Sequence, residues 1–345
     1  MMPFINEQLA ANHEIADRKR DADHSGRMSR FTFDPGTVMA TLRKRIVGQP
    51  HVLDRIDNML RVLKADIAPD DRPLAVQLFV GPTGVGKTET VRLLAEAIHG
   101  SADAVCRIDM STLAQEHYAA SLTGAPPGYV GSKEGQTLFD VEAIQGSFSK
   151  PGIVLFDELE KASPEVVRAL LNVLDRGRLR LSAGNREINF RNSLIFMTSN
   201  AGASQVSALR GRQQKRWWYW KNSSRQIEAV VDQALQQHFD PEFLNRIDSI
   251  ITFNALDQDI SEQLLDIELE KLNRRLLRRK VLLSLGDGTR RYLCNTMDAR
   301  YGAREMARRV RNELSPPLAR VMLDYPQADT FEAQMQAGKL IVIPV

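Results

Sequence analysis

One short stretch, Gly81-Pro82-Thr83-Gly84-Val85-Gly86-Lys87-Thr88, constrains the fold more than any other part of the chain. It follows the pattern Gly, four residues, Gly-Lys-Thr. It stands between an apolar run, AVQLFV at 75–80, and a segment whose Val91, Leu94, Ala95 and Ile98 recur at helical spacing. A strand entering a glycine-rich turn that opens a helix is an arrangement suited to phosphate. The glycines let the backbone curl so that its amides face the anion, and the helix N-terminus adds the positive end of its dipole. Lys87 reaches the outer phosphates of a nucleotide and Thr88 offers a hydroxyl to magnesium.

The surrounding sequence predicts the rest of an α/β fold. Apolar runs at 75–80, 105–109, 152–157 and 193–199 alternate with amphipathic stretches, the pattern of a parallel sheet with helices on both faces. The run ending Phe156-Asp157-Glu158 delivers two adjacent carboxylates at a strand end, and strand alternation turns them in different directions. Asp157 suits the water shell of a magnesium ion, whereas Glu158 suits polarising an attacking water as general base. A further strand ends in Thr198-Ser199-Asn200, whose tip would lie beside Asp157. From there Asn200 would orient the water or sense the terminal phosphate.

Three segments follow from a change of pattern. Residues 1–34, mixed in charge up to the turn-like Asp34-Pro35-Gly36, read as a flexible or partly helical extension. Residues 35–255 form a large domain with an insertion loop at 205–225. Residues 256–345 form a smaller one, with helices expected over 258–279 and 303–323 and strands over 281–285 and 338–343.

Composition narrows the classes further. A chain of 345 residues with a net charge of +3 carries too mild a basic bias to argue by itself for nucleic acid or membrane. The two cysteines, Cys106 and Cys294, are far apart and lack metal-spaced neighbours, so neither a disulfide framework nor a zinc site is expected. With no leader-like start and no long apolar run, the expected location is cytoplasmic.

With these residues in place, the stretch from about Arg45 to Leu323 resembles the Clp-type AAA+ unfoldases, specifically the second ATPase module of ClpA and ClpB. The resemblance rests on Ile46-Val47-Gly48-Gln49, GPTGVGKTE at 81–89, GAPPGYVG at 124–131, LFDELEKA at 155–162 and GRL at 177–179. It extends through FRNS and MTSN within 190–200, FLNRID at 243–248 and YGARE at 301–305. It implies an AAA+ P-loop large domain followed by a small, mostly helical lid domain.

The resemblance also implies residue roles. Val47 and Gly48 would hold the adenine. Gly81, Pro82, Thr83, Gly84, Val85, Gly86, Lys87, Thr88 and Glu89 would hold the phosphates of ATP, with Thr88 and Asp157 on Mg2+. Glu158 would activate water, and Asn200 would be the first sensor. Arg246 looks like the arginine finger, reaching a neighbouring subunit's terminal phosphate, and Arg304 like the second sensor. Gly128, Tyr129, Val130 and Gly131 match the family's pore loop, an apolar grip between mobile glycines, with Arg178 to Arg186 as a more basic second loop. A homo-oligomeric ring, a hexamer as in the family, would then thread a polypeptide substrate.

Three departures from the family shape the expectations about partners. The chain carries one ATPase module and no folded substrate-recruiting domain, which leaves recruitment to residues 1–34 or to an adaptor. The tripeptide with which relatives dock on the ClpP peptidase is absent between Asn200 and Phe239, which argues against that partner. In its place is the basic stretch Arg210 to Arg225, containing Trp217, Trp218, Tyr219 and Trp220 and hence all three tryptophans. The Trp217–Trp220 loop is compatible with docking on a partner, insertion at a membrane surface, stacking on nucleic acid, or packing on its own domain or a neighbour. The second pore loop, Leu181-Ser182-Ala183-Gly184-Asn185, is less acidic than is usual in relatives. The reading that follows is a protein unfoldase or remodelling ATPase. The alternatives are an ATPase that remodels or loads nucleic acid, and a regulatory scaffold assembled under ATP control.

Overall fold

The computed structural model describes residues 29–114, 139–180, 187–203, 205–206, 223–256, 258–295 and 302–345. They divide into two compact units. The first holds Pro50–Gly81, Lys87–Phe253 and the described residues up to Lys44; the second holds Arg45–Gln49, Pro82–Gly86 and Asn254–Val345.

The first unit is built on β1 (Ala75–Val80), β2 (Cys106–Asp109) and β3 (Gly152–Asp157). A hairpin of β4 (Arg178–Arg180) and β5 (Glu187–Asn189) follows, then β6 (Ser193–Ser199) and β7 (Ser249–Thr252). Five of these form a sheet in the order β2-β3-β6-β1-β7, and every neighbouring pair is parallel. β1, β3 and β6 lie in its middle and are buried at every position. That is why they read as largely apolar runs: a parallel strand covered on both faces has no solvent side to mark with polar residues.

Alternation still sorts their side chains. Val76, Leu78, Val80, Val154, Phe156, Ile195 and Met197 join one core with Val166, Leu170, Val173 and Leu174 of the helix Pro164–Arg176. Phe79 meets Phe196 and Phe253, with ring centroids 5.4 and 5.1 Å away. Burying a phenylalanine side chain of this kind stabilises by roughly 1.5–3 kcal/mol. The helix Lys87–His99 packs on β3 and β6 and buries the expected Val91, Leu94, Ala95 and Ile98.

The four apolar runs thus become strands close to the expected positions, and the α/β fold is as read. Within the five-stranded sheet, β7 is the strand that sequence periodicity does not reveal. It is four residues long, three of them half-buried, and closes the sheet edge beside β1. Residues 29–34 also carry more structure than their mixed charge suggests. Phe31 and Phe33 are buried, Thr32 donates its amide to the Ser149 carbonyl at 3.0 Å, and Lys64 bonds the Phe31 carbonyl. Their aromatic alternation was the available signal. The insertion stretch 205–225 gives way at Ser223 to the helix Ser223–Gln236.

The second unit pairs helices with a small sheet. After the helix Ser261–Leu276 come β8 (Leu282–Leu285), the helix Asp287–Asn295, β9 (Thr330–Gln336) and β10 (Lys339–Pro344). β9 pairs antiparallel with β10 and parallel with β8. The helix expected over 303–323 is interrupted: Ala303–Arg309 widens into a π turn at Val310–Leu314 before Ser315–Asp324 continues. Pro316 and Pro317 explain the break, because neither can donate an amide to the preceding turn. No helix among the described residues is long and apolar enough to cross a membrane.

Candidate functional site

The phosphate loop leaves β1 through glycines whose backbone other residues rarely adopt, with φ of 151° at Gly81, 77° at Gly84 and 104° at Gly86. At Gly81 the constraint is doubled, since a Cβ would stand 2.7 Å from the Phe253 carbonyl oxygen. The helix then opens at Lys87, and the amides of its first turn have no partner within the helix.

Lys87 is buried, and its ammonium donates to the Gly81 carbonyl and, at 2.8 Å, to Asn200 Oδ1. Thr88 Oγ1 lies 3.1 Å from Asp157 Oδ1. Parallel pairing of β3 with β6 is what brings Asn200 to this place, because both strands end on the same sheet edge. The residues expected from sequence at 87, 88, 157 and 200 therefore form two hydrogen-bonded pairs, Lys87 with Asn200 and Thr88 with Asp157, begun by adjacent residues at the start of the helix. Glu158 follows Asp157 in the left-handed region, at φ 59° and ψ 52°, which swings it away from the direction of its neighbour. Its amide donates to Thr198 Oγ1 at 2.9 Å.

Sequence reading missed several residues of this network. Thr198, buried at the end of β6, donates to Asp157 Oδ1 at 2.5 Å. Arg107, from β2, places Nε 3.1 Å and Nη2 2.7 Å from Asp157 Oδ2. Glu160 Oε1 accepts both the amide and the side-chain Nδ2 of Asn200 at 3.1 Å each. These bonds assign the amide orientation of Asn200: its oxygen faces Lys87 and its nitrogen faces Glu160. Glu160 sits two residues after Glu158 in the acidic run, which was the available signal; Arg107 had none beyond its place on a strand.

The remaining expected residues fall elsewhere. Arg246 is not part of the cluster around Asp157. It precedes β7 and pairs with Asp175 at 3.0 Å, both side chains roughly two-fifths exposed at 43% and 42%. Its main chain is fixed by Arg72, which bonds the Arg246 carbonyl at 3.3 Å and Asp248 Oδ1 at 2.7 Å, while Asp248 Oδ2 accepts the Val76 amide. Glu89 pairs with Arg92 one turn along the helix, at 3.6 Å.

Within the second unit, Val47 is half-buried and Gly48 has φ 73°, with Leu256 and Ile260 crowding the place of a Cβ. The neighbouring Gln49 holds both main-chain groups of Asn254, at 2.8 and 2.9 Å. Pro82 is half-buried, Thr83 exposed and Val85 buried. The amide of Ala303 donates to the Gly84 carbonyl at 2.9 Å, and Arg304 follows, exposed, as the second residue of its helix. Gly128, Tyr129, Val130 and Gly131, residues 181–186 and Trp217 to Trp220 lie outside the described residues.

Cys106 is buried in β2, and burial pushes its thiol up to about 11. Asp109, two residues beyond Arg107, is held below the usual carboxylate range chiefly by the Ser111 hydroxyl, with Arg107 adding to the effect. Among the described residues no three His, Cys, Asp or Glu gather as a metal cage. One carboxylate beside one hydroxyl is the donor set that suits a hydrated hard cation shared with phosphate oxygens.

A parallel sheet whose strand ends present a glycine loop, a lysine, a threonine and a carboxylate defines a P-loop nucleoside triphosphatase core. Comparison with known families narrows this. The family described as AAA domain (Cdc48 subfamily) matches residues 72–250, and the C-terminal, D2-small domain of ClpB protein matches residues 256–332. The chain belongs to the AAA family, and within it is a Clp-type AAA+ ATPase resembling the second module of ClpB.

A Pseudomonas aeruginosa protein named ATP-dependent protease ATP-binding subunit-like protein AmiB is 47% identical, over 93% of this chain and 89% of its own length. A Rhodococcus erythropolis ATP-dependent protease ATP-binding subunit-like protein is 42% identical, over 97% and 96%. The chaperone ClpB of Gloeobacter violaceus is 41% identical over 84% of this chain, which spans only 32% of that protein. Among solved structures, Hsp104 in a closed state with ATPyS and FITC casein superposes with a TM-score of 0.75 at 27% identity. That match covers 90% of this chain and 51% of Hsp104.

Proposed function

We propose that this chain is an ATP-driven protein unfoldase or remodelling chaperone, acting as a homo-oligomeric ring, a hexamer, that threads polypeptide through a central pore. The observation that carries the reading is the pairing of Lys87 with Asn200 and of its neighbour Thr88 with Asp157, found in a chain related to ClpB chaperones and folded like an Hsp104 solved with casein.

Within this reading, Lys87 and the loop from Gly81 hold the outer phosphates, while Thr88 and Asp157 hold magnesium. That ion, when bound, would offset charge on the phosphate oxygens. Glu158 takes a proton from the attacking water, and Asn200 turns its side chain to orient that water. The guanidinium of Arg246 faces solvent enough to leave Asp175 for a neighbour's terminal phosphate, so turnover depends on assembly. Arg304 reports the nucleotide to the second unit. Tyr129 and Val130, flanked by Gly128 and Gly131, grip the polypeptide without reading its sequence.

The test is steady-state ATP hydrolysis with and without an unfolded protein, in wild type and Tyr129→Ala. Stimulation by unfolded protein, with remodelling lost in Tyr129→Ala, is expected. Remodelling that survives Tyr129→Ala would remove the threading mechanism. Stimulation by DNA or RNA and not by unfolded protein would favour the nucleic-acid alternative.

A further inference from the structure

Asp157 divides its two oxygens between unlike partners. Oδ1 receives hydrogen bonds from Thr198 at 2.5 Å and Thr88 at 3.1 Å. Oδ2 receives both donors of Arg107, Nη2 at 2.7 Å and Nε at 3.1 Å, with the Thr88 hydroxyl farther off at 3.4 Å. These partners differ in how easily they leave. Thr198 is buried, and its oxygen also accepts the Glu158 amide, so losing it would strand polar groups in the core. The Arg107 side chain is 51% exposed and the Asp157 side chain 8%. The guanidinium can therefore swing into water at small cost, while the carboxylate cannot follow.

From this asymmetry we infer that Arg107 sets the magnesium requirement of the site, competing with the cation for Asp157 Oδ2. The inference rests on Asp157 being the metal carboxylate. A cation held at Thr88 and Asp157 draws on the oxygen that is free to exchange, and that oxygen is the one Arg107 covers. A positive charge placed there also opposes the cation directly through Coulomb repulsion. Removing the guanidinium would leave the negative charge of Asp157 without its cationic partner. Arg107 is thus a positioning residue, acting on the cation through Asp157.

The experiment measures binding of a fluorescent ADP analogue across a magnesium titration and in EDTA, for wild type, Arg107→Gln, Arg107→Lys and Asp157→Asn. For Arg107→Gln the half-saturating magnesium concentration is expected to fall by about three- to tenfold, with affinity in EDTA unchanged. Arg107→Lys keeps the charge but not the paired donors and should fall between. Melting curves without magnesium, recorded on each variant, show that the compared proteins are folded.

An unchanged or raised magnesium requirement in folded Arg107→Gln would overturn the inference. So would equal weakening with and without magnesium, the mark of a phosphate contact or a structural role. The Asp157→Asn arm separates the two levels. If it keeps the wild-type magnesium response, Asp157 is not the metal carboxylate; if it loses that response while Arg107→Gln is unchanged, only the competition fails.

Discussion

Two arginine–aspartate pairs in the same unit show how far burial changes the meaning of one chemical contact. Arg107 meets Asp157 at 2.7 Å and Arg246 meets Asp175 at 3.0 Å, so geometry alone barely separates them. Asp157, however, stands at the end of a buried central strand with two threonine hydroxyls on its other oxygen, and it cannot turn away. Asp175 lies in the last turn of the helix Pro164–Arg176 and is as exposed as its arginine. In the first pair the carboxylate is fixed and the arginine exchangeable. In the second both partners are loosely held, which suits an arginine whose proposed target lies on another subunit. Exposed pairs of this kind contribute only about 0–1 kcal/mol to stability.

The contrast can be broken by substitution. Arg246→Ala carries the largest expected effect, a loss of turnover on the order of 1,000-fold or more with nucleotide affinity kept, read by comparing kcat with fluorescent-nucleotide binding. Matching losses in both would make Arg246 a fold residue. Asp157→Asn comes next, with turnover falling on the order of 100-fold and the magnesium response flattened. Retention of near-normal turnover there would leave the two aspartates alike.

Thr198→Val tests how firmly Asp157 is held. It removes a buried hydroxyl that serves both Asp157 and the Glu158 amide, and should cost about 1–3 kcal/mol in a denaturant melt. A change below about 0.5 kcal/mol would mean that the carboxylate relaxes freely after all. Asp175→Asn should do least, shifting stability by less than about 1 kcal/mol and turnover by less than about threefold. A severe loss of turnover would reveal that Asp175 guides the arginine and does not merely neutralise it.

The sequence alone exposed the phosphate loop because that chemistry is local. Gly81, Gly84 and Gly86 are required by backbone angles within one turn, and Lys87 and Thr88 follow at fixed covalent distance. The central strands were legible for a related reason, since burial on both faces leaves a largely apolar run whatever lies beyond it. Asp157, Glu158 and Asn200 were recognisable as strand-end polar residues once the loop demanded partners.

Arg107, Glu160 and Thr198 were not assigned roles from the sequence, although each lies in or beside a stretch read as important. Their roles depend on the strand order β2-β3-β6-β1-β7, which joins residues far apart along the chain and leaves no periodic trace. The same holds for β7, whose four residues, three of them half-buried, acquire meaning only as neighbours of β1, and for Phe31 and Phe33, whose burial comes from packing.

By itself, then, the sequence determined that a phosphate loop feeds a helix from a buried strand, in a parallel sheet whose neighbouring tips carry Asp157, Glu158 and Asn200. Only the tertiary structure decided that Arg107 covers one oxygen of Asp157, that Glu160 orients Asn200, and that Arg246 rests on Asp175. The division is physical: spacing along a chain encodes hydrogen bonds made within a turn, whereas contacts between strand ends are set by which strands become neighbours.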